Sequence, residues 1–102
     1  MKIRVNGVEY DFMLRGTVVL GYLAERMLGA AMEDGNKYHT LVLFYCCLQT
    51  SNRGKDIPDL MDFISSLTSK TMAEMSEYFW TEWRRLEGEP AAKEGDGSPG
   101  EG

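Results

Sequence analysis

The chain has 102 residues, enough for one hydrophobic core, and 43% of them are apolar, which is ordinary for a folded domain. Its net charge is −5 at neutral pH. Five acids and one lysine lie from residue 87 onward, a balance of −4, so residues 1–86 carry only −1. A nearly neutral body without basic clusters argues against nucleic acid as a partner, because phosphate binding needs several Lys or Arg side chains.

The sequence contains no segment that predicts export or membrane insertion. Residues 1–5 carry charges where a signal peptide would be apolar, and the longest apolar run, residues 41–48, is too short to cross a bilayer. Cys46 and Cys47 are neighbours in that run, so they do not cross-link distant parts of the chain. We therefore expect a cytoplasmic protein with no membrane contact.

The first fourteen residues predict a β-hairpin. Asn6-Gly7 is typical of a two-residue type I′ turn, because both of its central positions need positive φ. This turn sets the register, with Val5 opposite Val8 and Ile3 opposite Tyr10. It also predicts two opposite-charge pairs, Lys2 with Asp11 and Arg4 with Glu9. The predicted apolar face, which something must cover, consists of Ile3, Val5, Val8 and Tyr10, continued by Phe12 and Leu14.

The next segment predicts an amphipathic helix with Thr17 as its N-cap and Gly29 just after its end. Gly21 lies inside this helix, where glycine costs about 1 kcal/mol relative to alanine. We interpret Gly21 as a point of close packing against a neighbouring element. The predicted buried stripe follows helical spacing and consists of Leu20, Leu23, Ala24, Met27 and Leu28.

A second helix is predicted from a cap at Asn36 through residues 37–49, and it has almost no polar face. Such a helix must be covered on most sides, either by the rest of the chain or by a second subunit. Because full coverage is difficult in so small a domain, we expect a homo-oligomer.

Two further helices are predicted. The third has Pro58 in its first turn, and the fourth is capped by Thr68 or Ser69 and runs to residue 86. Their buried stripes are Leu60, Phe63, Ile64 and Leu67 in the third helix, and Met72, Met75, Phe79, Trp83 and Leu86 in the fourth. The predicted fold class is thus α+β and mostly α, with one domain over residues 1–87. Residues 88–102 are rich in Gly, Pro and acids and predict a disordered tail.

No set of residues predicts catalysis, a cofactor or a metal site. His39 is the only histidine, and it has no partners at ligand spacing. The two cysteines lack C-x-x-C spacing, and the acids at 56, 59 and 62 suit the start of a helix. We therefore expect a protein that is not an enzyme.

Two features predict binding to another protein. Seven methionines occur in this short chain, and methionine-rich surfaces adapt to partners, although methionine also fills cores. Tyr78 and Trp80 flank the stripe of the last helix, and exposed aromatic side chains are enriched at binding hot spots. The candidate protein-binding residues are Met72, Met75, Tyr78, Trp80 and Trp83.

The order of these elements resembles a known family. A hairpin over residues 2–12 is followed by a helix containing residues 23–29, a very apolar helix around Leu43, and a helix opening with residues 57–63. This layout, over residues 1–87, is similar to that of the tail assembly chaperones of long-tailed bacteriophages and prophages. The resemblance implies binding to the tape measure protein, which is kept soluble while tail-tube subunits are brought to it. It implies no functional residue.

A second interpretation stays open on the residues alone. A small regulatory adaptor or an antitoxin would also be compact and without catalytic groups, and it would bind one cognate partner tightly. The acidic tail could then cover a basic surface of that partner.

Overall fold

The computed structural model of the protein describes residues 1–88, which form a β-hairpin followed by four helices. In chain order these elements are β1 (Lys2–Val5), β2 (Val8–Asp11), α1 (Thr17–Leu28), α2 (Lys37–Ser51), α3 (Leu60–Ser66) and α4 (Ser69–Leu86). The predicted α+β, mostly helical fold is confirmed. Apart from Gly88, the predicted disordered tail lies outside the described residues.

The hairpin has the predicted register. Val5 pairs with Val8 and Lys2 with Asp11, and both turn residues have positive φ, 52° at Asn6 and 82° at Gly7. Lys2 forms the predicted ion pair with Asp11. Arg4 lies opposite Glu9 as predicted, but within residues 1–88 the two side chains form no salt bridge.

In place of that pair, the guanidinium of Arg4 donates to the Gly7 carbonyl across the turn. The predicted apolar face is buried at Ile3 and Val5 and, beyond β2, at Phe12 and Leu14. Tyr10 is half-buried, whereas Val8 is 51% exposed. The buried face therefore reaches the turn on β1 but not on β2.

Two predicted helix boundaries need correction. Gly16, not Thr17, is the N-cap of α1, and it offers no side-chain hydrogen bond to the helix. Pro58 lies before α3, because the Asp59 side chain caps that helix by accepting a hydrogen bond from the Asp62 amide. The left-handed Gly29 ends α1 as predicted, with φ of 70°.

The predicted caps of the other two helices are confirmed. The Asn36 side chain accepts from the His39 amide at the start of α2, and the Thr68 hydroxyl accepts from the Thr71 amide at the start of α4.

Helix α2 is the centre of the core. Its residues from 42 to 48 are all buried, and α1, α3 and β2 all pack against it. Phe44 of α2 contacts Phe12 edge to face and lies 4.7 Å, centroid to centroid, from Phe79 of α4. The chain itself therefore covers this apolar helix, and α2 requires no second subunit. The predicted homo-oligomer stays a prediction.

Side chains from distant helices form hydrogen bonds with the backbone of residues 11–14, a segment that begins at the last residue of β2, Asp11. Asn52, at the end of α2, is only 3% exposed. Its Oδ1 accepts from the Asp11 amide at 3.1 Å, while its Nδ2 donates to the carbonyls of Asp11 and Leu48, both at 2.8 Å. One buried amide thus joins the hairpin to the last turn of α2.

The other backbone groups of this segment are also paired. Phe12 exchanges two hydrogen bonds with Met1, whose carbonyl accepts at 2.8 Å and whose amino group donates at 3.0 Å. The Met13 amide donates to the Ser51 hydroxyl at 2.8 Å, and the Leu14 amide donates to the Tyr78 hydroxyl at 3.2 Å. Because unpaired backbone groups are costly to bury, these contacts hold the segment against α2 and α4.

Among residues 1–88, no helix combines the length and the apolar character that crossing a lipid bilayer would require.

Replacing Asn52 with aspartate tests the importance of its amide group. Aspartate keeps the size and the acceptor, but it loses both donors and turns a carboxylate towards two carbonyl oxygens. We expect Asn52→Asp to lower the free energy of unfolding by about 3 kcal/mol at pH 7, measured by urea denaturation. As a matched control, Asn36→Ala removes a helix cap and should cost about 1 kcal/mol. Equal losses in the two variants would contradict the role assigned to Asn52.

Candidate functional site

The outer face of α1 carries apolar side chains that the core does not use. Val18 is 85% exposed and Tyr22 is 60% exposed. Residues three and four apart share one side of a helix, so these two lie on the same face as Gly21 and Glu25. The inner face of α1, by contrast, buries Leu20 and Ala24.

This outer face forms one wall of a groove whose other wall is the end of α4. The groove has a volume of 400 Å³, and it is lined by Thr17, Val18, Gly21, Tyr22, Glu25, Trp83 and Glu87. Trp83 is half-buried and stacks on Phe79, with ring centroids 5.6 Å apart. At one end, the Thr17 hydroxyl donates to the Glu87 carboxylate at 2.6 Å and so links the two helices. We call this cavity the α1–α4 groove.

The interpretation of Gly21 as a point of close packing is wrong. Within residues 1–88, a Cβ atom built on Gly21 would have no heavy atom of a neighbouring element within 4 Å. Glycine therefore weakens α1 although packing against this part of the chain does not require it. Because Gly21 has no side chain, the α1–α4 groove is wider between Val18 and Tyr22.

The charges around the groove are mainly acidic. Glu25 and Glu87 contribute two exposed carboxylates to its lining. One oxygen of Glu25 accepts a hydrogen bond from the Met32 amide, which positions that carboxylate. The Arg26 guanidinium lies over the Tyr22 ring, 5.9 Å from its centroid, and so packs beside the groove. An apolar ligand with flanking positive charges would complement this surface.

The five predicted binding residues do not form one surface. Trp83 lines the α1–α4 groove, whereas Met75 is fully buried in the core. Trp80 is half-buried against Phe44, Phe79 and Trp83. Met75 and Trp80 therefore contribute mainly to packing.

The remaining two predicted residues lie elsewhere. Tyr78 is half-buried and uses its hydroxyl to accept from the Leu14 amide, so its polar end has a structural task. Met72 lines a separate shallow cavity together with Leu41 and Ile64.

Sequence reasoning missed Val18 and Tyr22 as exposed apolar side chains. A signal was present, because neither belongs to the predicted stripe of α1, yet both are apolar and lie four residues apart. Apolar residues outside the buried stripe of an amphipathic helix point to a second contact surface.

The one histidine of the chain has a structural partner. The His39 Nδ1 accepts from the Glu33 amide at 3.0 Å, which orders the loop before α2. In residues 1–88, no group of three or more His, Cys, Asp or Glu side chains has a geometry that could hold a metal ion.

Both cysteines are fully buried in α2. Burial raises the pKa of Cys46 to about 11 and that of Cys47 to about 12. Because the thiolate is the reactive form, neither side chain is set up to act as a nucleophile near neutral pH.

Comparison of the chain with protein-family models, with curated proteins and with solved structures found no match. The assignment of a function therefore depends on the geometry and chemistry described above.

The raised pKa values of the thiols predict a loss of stability in alkali. Between pH 9 and pH 11, the unfolded chain releases thiol protons that the folded protein retains. Unfolding therefore releases protons, and the free energy of unfolding should fall by about 1.4 kcal/mol per pH unit for each thiol. Below the pKa that the thiols have in the unfolded chain, the free energy of unfolding shows no such decrease. Urea denaturation should show that the free energy of unfolding falls less steeply with pH in Cys46→Ala/Cys47→Ala than in the wild type. An unchanged slope would refute the raised pKa values of the two thiols.

Proposed function

We propose that this chain is a non-enzymatic assembly chaperone of the phage tail type, which binds a helical segment of the tape measure protein in the α1–α4 groove. Binding would keep that long partner soluble while tail-tube subunits are brought to it. The observation that carries the proposal is the groove itself, because it exposes Val18 and Tyr22 to solvent beside the half-buried Trp83.

The α1–α4 groove is open to solvent, and its apolar side chains could bind an amphipathic helix. Such a helix presents apolar side chains at spacings of three and four residues, and it can lay them into a groove between two helices. Tyr and Trp are common anchors at such contacts, because they offer large rigid surfaces. Glu25 and Glu87 favour a partner segment whose apolar stripe is flanked by Lys or Arg.

The order of the elements also supports this family of functions. The hairpin, the apolar central helix and the two later helices follow the layout on which the resemblance to tail assembly chaperones rests. A role of this kind involves no turnover, so it needs no catalytic group, cofactor or metal. It would be carried out in the cytoplasm of the host bacterium.

The surroundings of the gene provide a first test. The proposal predicts an overlapping reading frame immediately downstream, followed by a very long gene whose product is mostly helical. A neighbouring toxin gene, or an isolated gene, would contradict the proposal and favour an antitoxin or adaptor.

A co-expression experiment tests the groove directly. The long helical product is expressed with this chain, and its soluble fraction is measured by sedimentation and gel densitometry. We expect the wild-type chain to raise the soluble fraction of the partner above its level without this chain. Gly21→Leu should abolish that increase, because the new side chain would fill the groove. The same change should not unfold the chain, since leucine favours helices and a Cβ at this position meets open space.

Two tyrosines provide a matched pair of variants. Tyr22→Ser removes a groove side chain that is 60% exposed, and Tyr38→Ser removes one on α2 that is 50% exposed. We expect only Tyr22→Ser to reduce the soluble partner. If both variants, or neither, reduced it, the groove would not be the binding site.

A further inference from the structure

A second cavity lies on the other side of the first turn of α1, between that turn and the end of α2. It has a volume of 310 Å³ and is lined by Arg15, Gly16, Val19, Thr50 and Arg53. Two guanidinium-bearing side chains thus share one small concave site. We call it the Arg15–Arg53 cavity.

The positive charge of this cavity is not neutralised within residues 1–88. Neither arginine forms a salt bridge there, and the hydrogen bond of Arg15 is a weak one to the Met13 sulfur at 3.7 Å. Helix α1 adds to the positive potential, because its first turn contains no acid and its N-cap provides no side-chain acceptor. The chemistry of the cavity therefore suits carboxylates, which guanidinium groups bind in a two-point geometry.

The chain carries a suitable segment close to this cavity. Residues 89–102 contain four acids and one lysine, a balance of −3. The segment begins just after Glu87, whose carboxylate accepts from Thr17, the residue next to Gly16 in the cavity wall. An extended chain spans about 3.3 Å per residue, so the acids at 94 and 96 can extend about 23 Å or more from Glu87, far more than the length of one turn of α1.

We propose that the acidic C-terminal segment, residues 89–102, binds in the Arg15–Arg53 cavity of the same molecule. Its carboxylates pair with the two arginines, and the link between Thr17 and Glu87 brings the start of the segment to the cavity. The contact is electrostatic and needs no helix or strand in the segment. It covers a basic site that is distinct from the α1–α4 groove, and it does not depend on the function proposed above.

A spin label on the C-terminal segment tests this contact in the full chain. Ser98→Cys introduces an accessible thiol for a nitroxide, while the buried native cysteines, with their raised pKa values, remain unlabelled at neutral pH. We expect the NMR amide signals of Gly16, Val19 and Thr50 to lose most of their intensity. Arg15→Gln/Arg53→Gln should restore them, as should high salt, which screens the charges.

A control with the same loss of charge is available. Lys37→Gln/Lys70→Gln removes two exposed positive charges from the first turns of α2 and α4, which lie about 20 Å along α2 from Thr50 and about 24 Å along α4 from Leu86. This variant should leave the broadening unchanged. Equal loss of broadening in both double variants, or no broadening at all, would overturn the proposal.

Two further measurements exclude other occupants. Broadening in an isotope-labelled chain without a nitroxide, mixed with a nitroxide-bearing chain, would place the segment on a second copy and overturn the intramolecular contact. Inorganic phosphate should compete and restore the three signals. A different result would also overturn the proposal: no broadening by the nitroxide, together with amide signals that shift on addition of phosphate only when Arg15 and Arg53 are present. The cavity would then be a site for free anions.

Discussion

The structure depends on how the backbone of residues 11–14 is paired. A two-stranded hairpin is marginal in water, and these residues leave it without a third strand to receive their hydrogen bonds. Asn52 and Ser51 at the end of α2, together with Tyr78 of α4, provide the missing partners. Because these contacts fix the segment, Phe12 packs against both Phe44 and Phe79, and the apolar face of the hairpin becomes part of the same core as the helices.

The local parts of this fold could be predicted from the sequence. Asn6-Gly7 determines the hairpin register through the φ values that its turn requires, and Asn36 and Thr68 cap their helices through amides three residues away. The role of Asn52 could not be predicted in the same way, because its partner Asp11 is 41 residues distant. The same holds for Tyr78, whose contact with Leu14 spans 64 residues. The aromatic pattern of α4 therefore predicts a binding side chain at Tyr78, whereas the structure gives its hydroxyl a partner within the fold.

The candidate site shows a similar division. Trp83 was identified from the aromatic pattern of α4, but a groove needs two walls, and the second wall depends on how α1 packs. Helix α1 buries Leu20 and Ala24 against the core, which turns Val18 and Tyr22 outward next to Trp83. Gly21 lines the groove because of that arrangement. The sequence could not predict this, because it does not show whether the space around a glycine is open or filled.

The first turn of α1 separates two surfaces of opposite charge. Thr17 and Val18 face the groove, whose lining includes Glu25 and Glu87, while Gly16 and Val19 face the cavity with its two arginines. A partner helix with basic flanks, as proposed above, would be attracted to the first surface and repelled by the second, so the pair of surfaces would orient the partner. If the acidic C-terminal segment covers the arginines, that repulsion is reduced, and the whole end of the molecule becomes acidic. The segment would then strengthen the attraction of a basic partner without touching it, because the potential of a surface sums over all nearby charges.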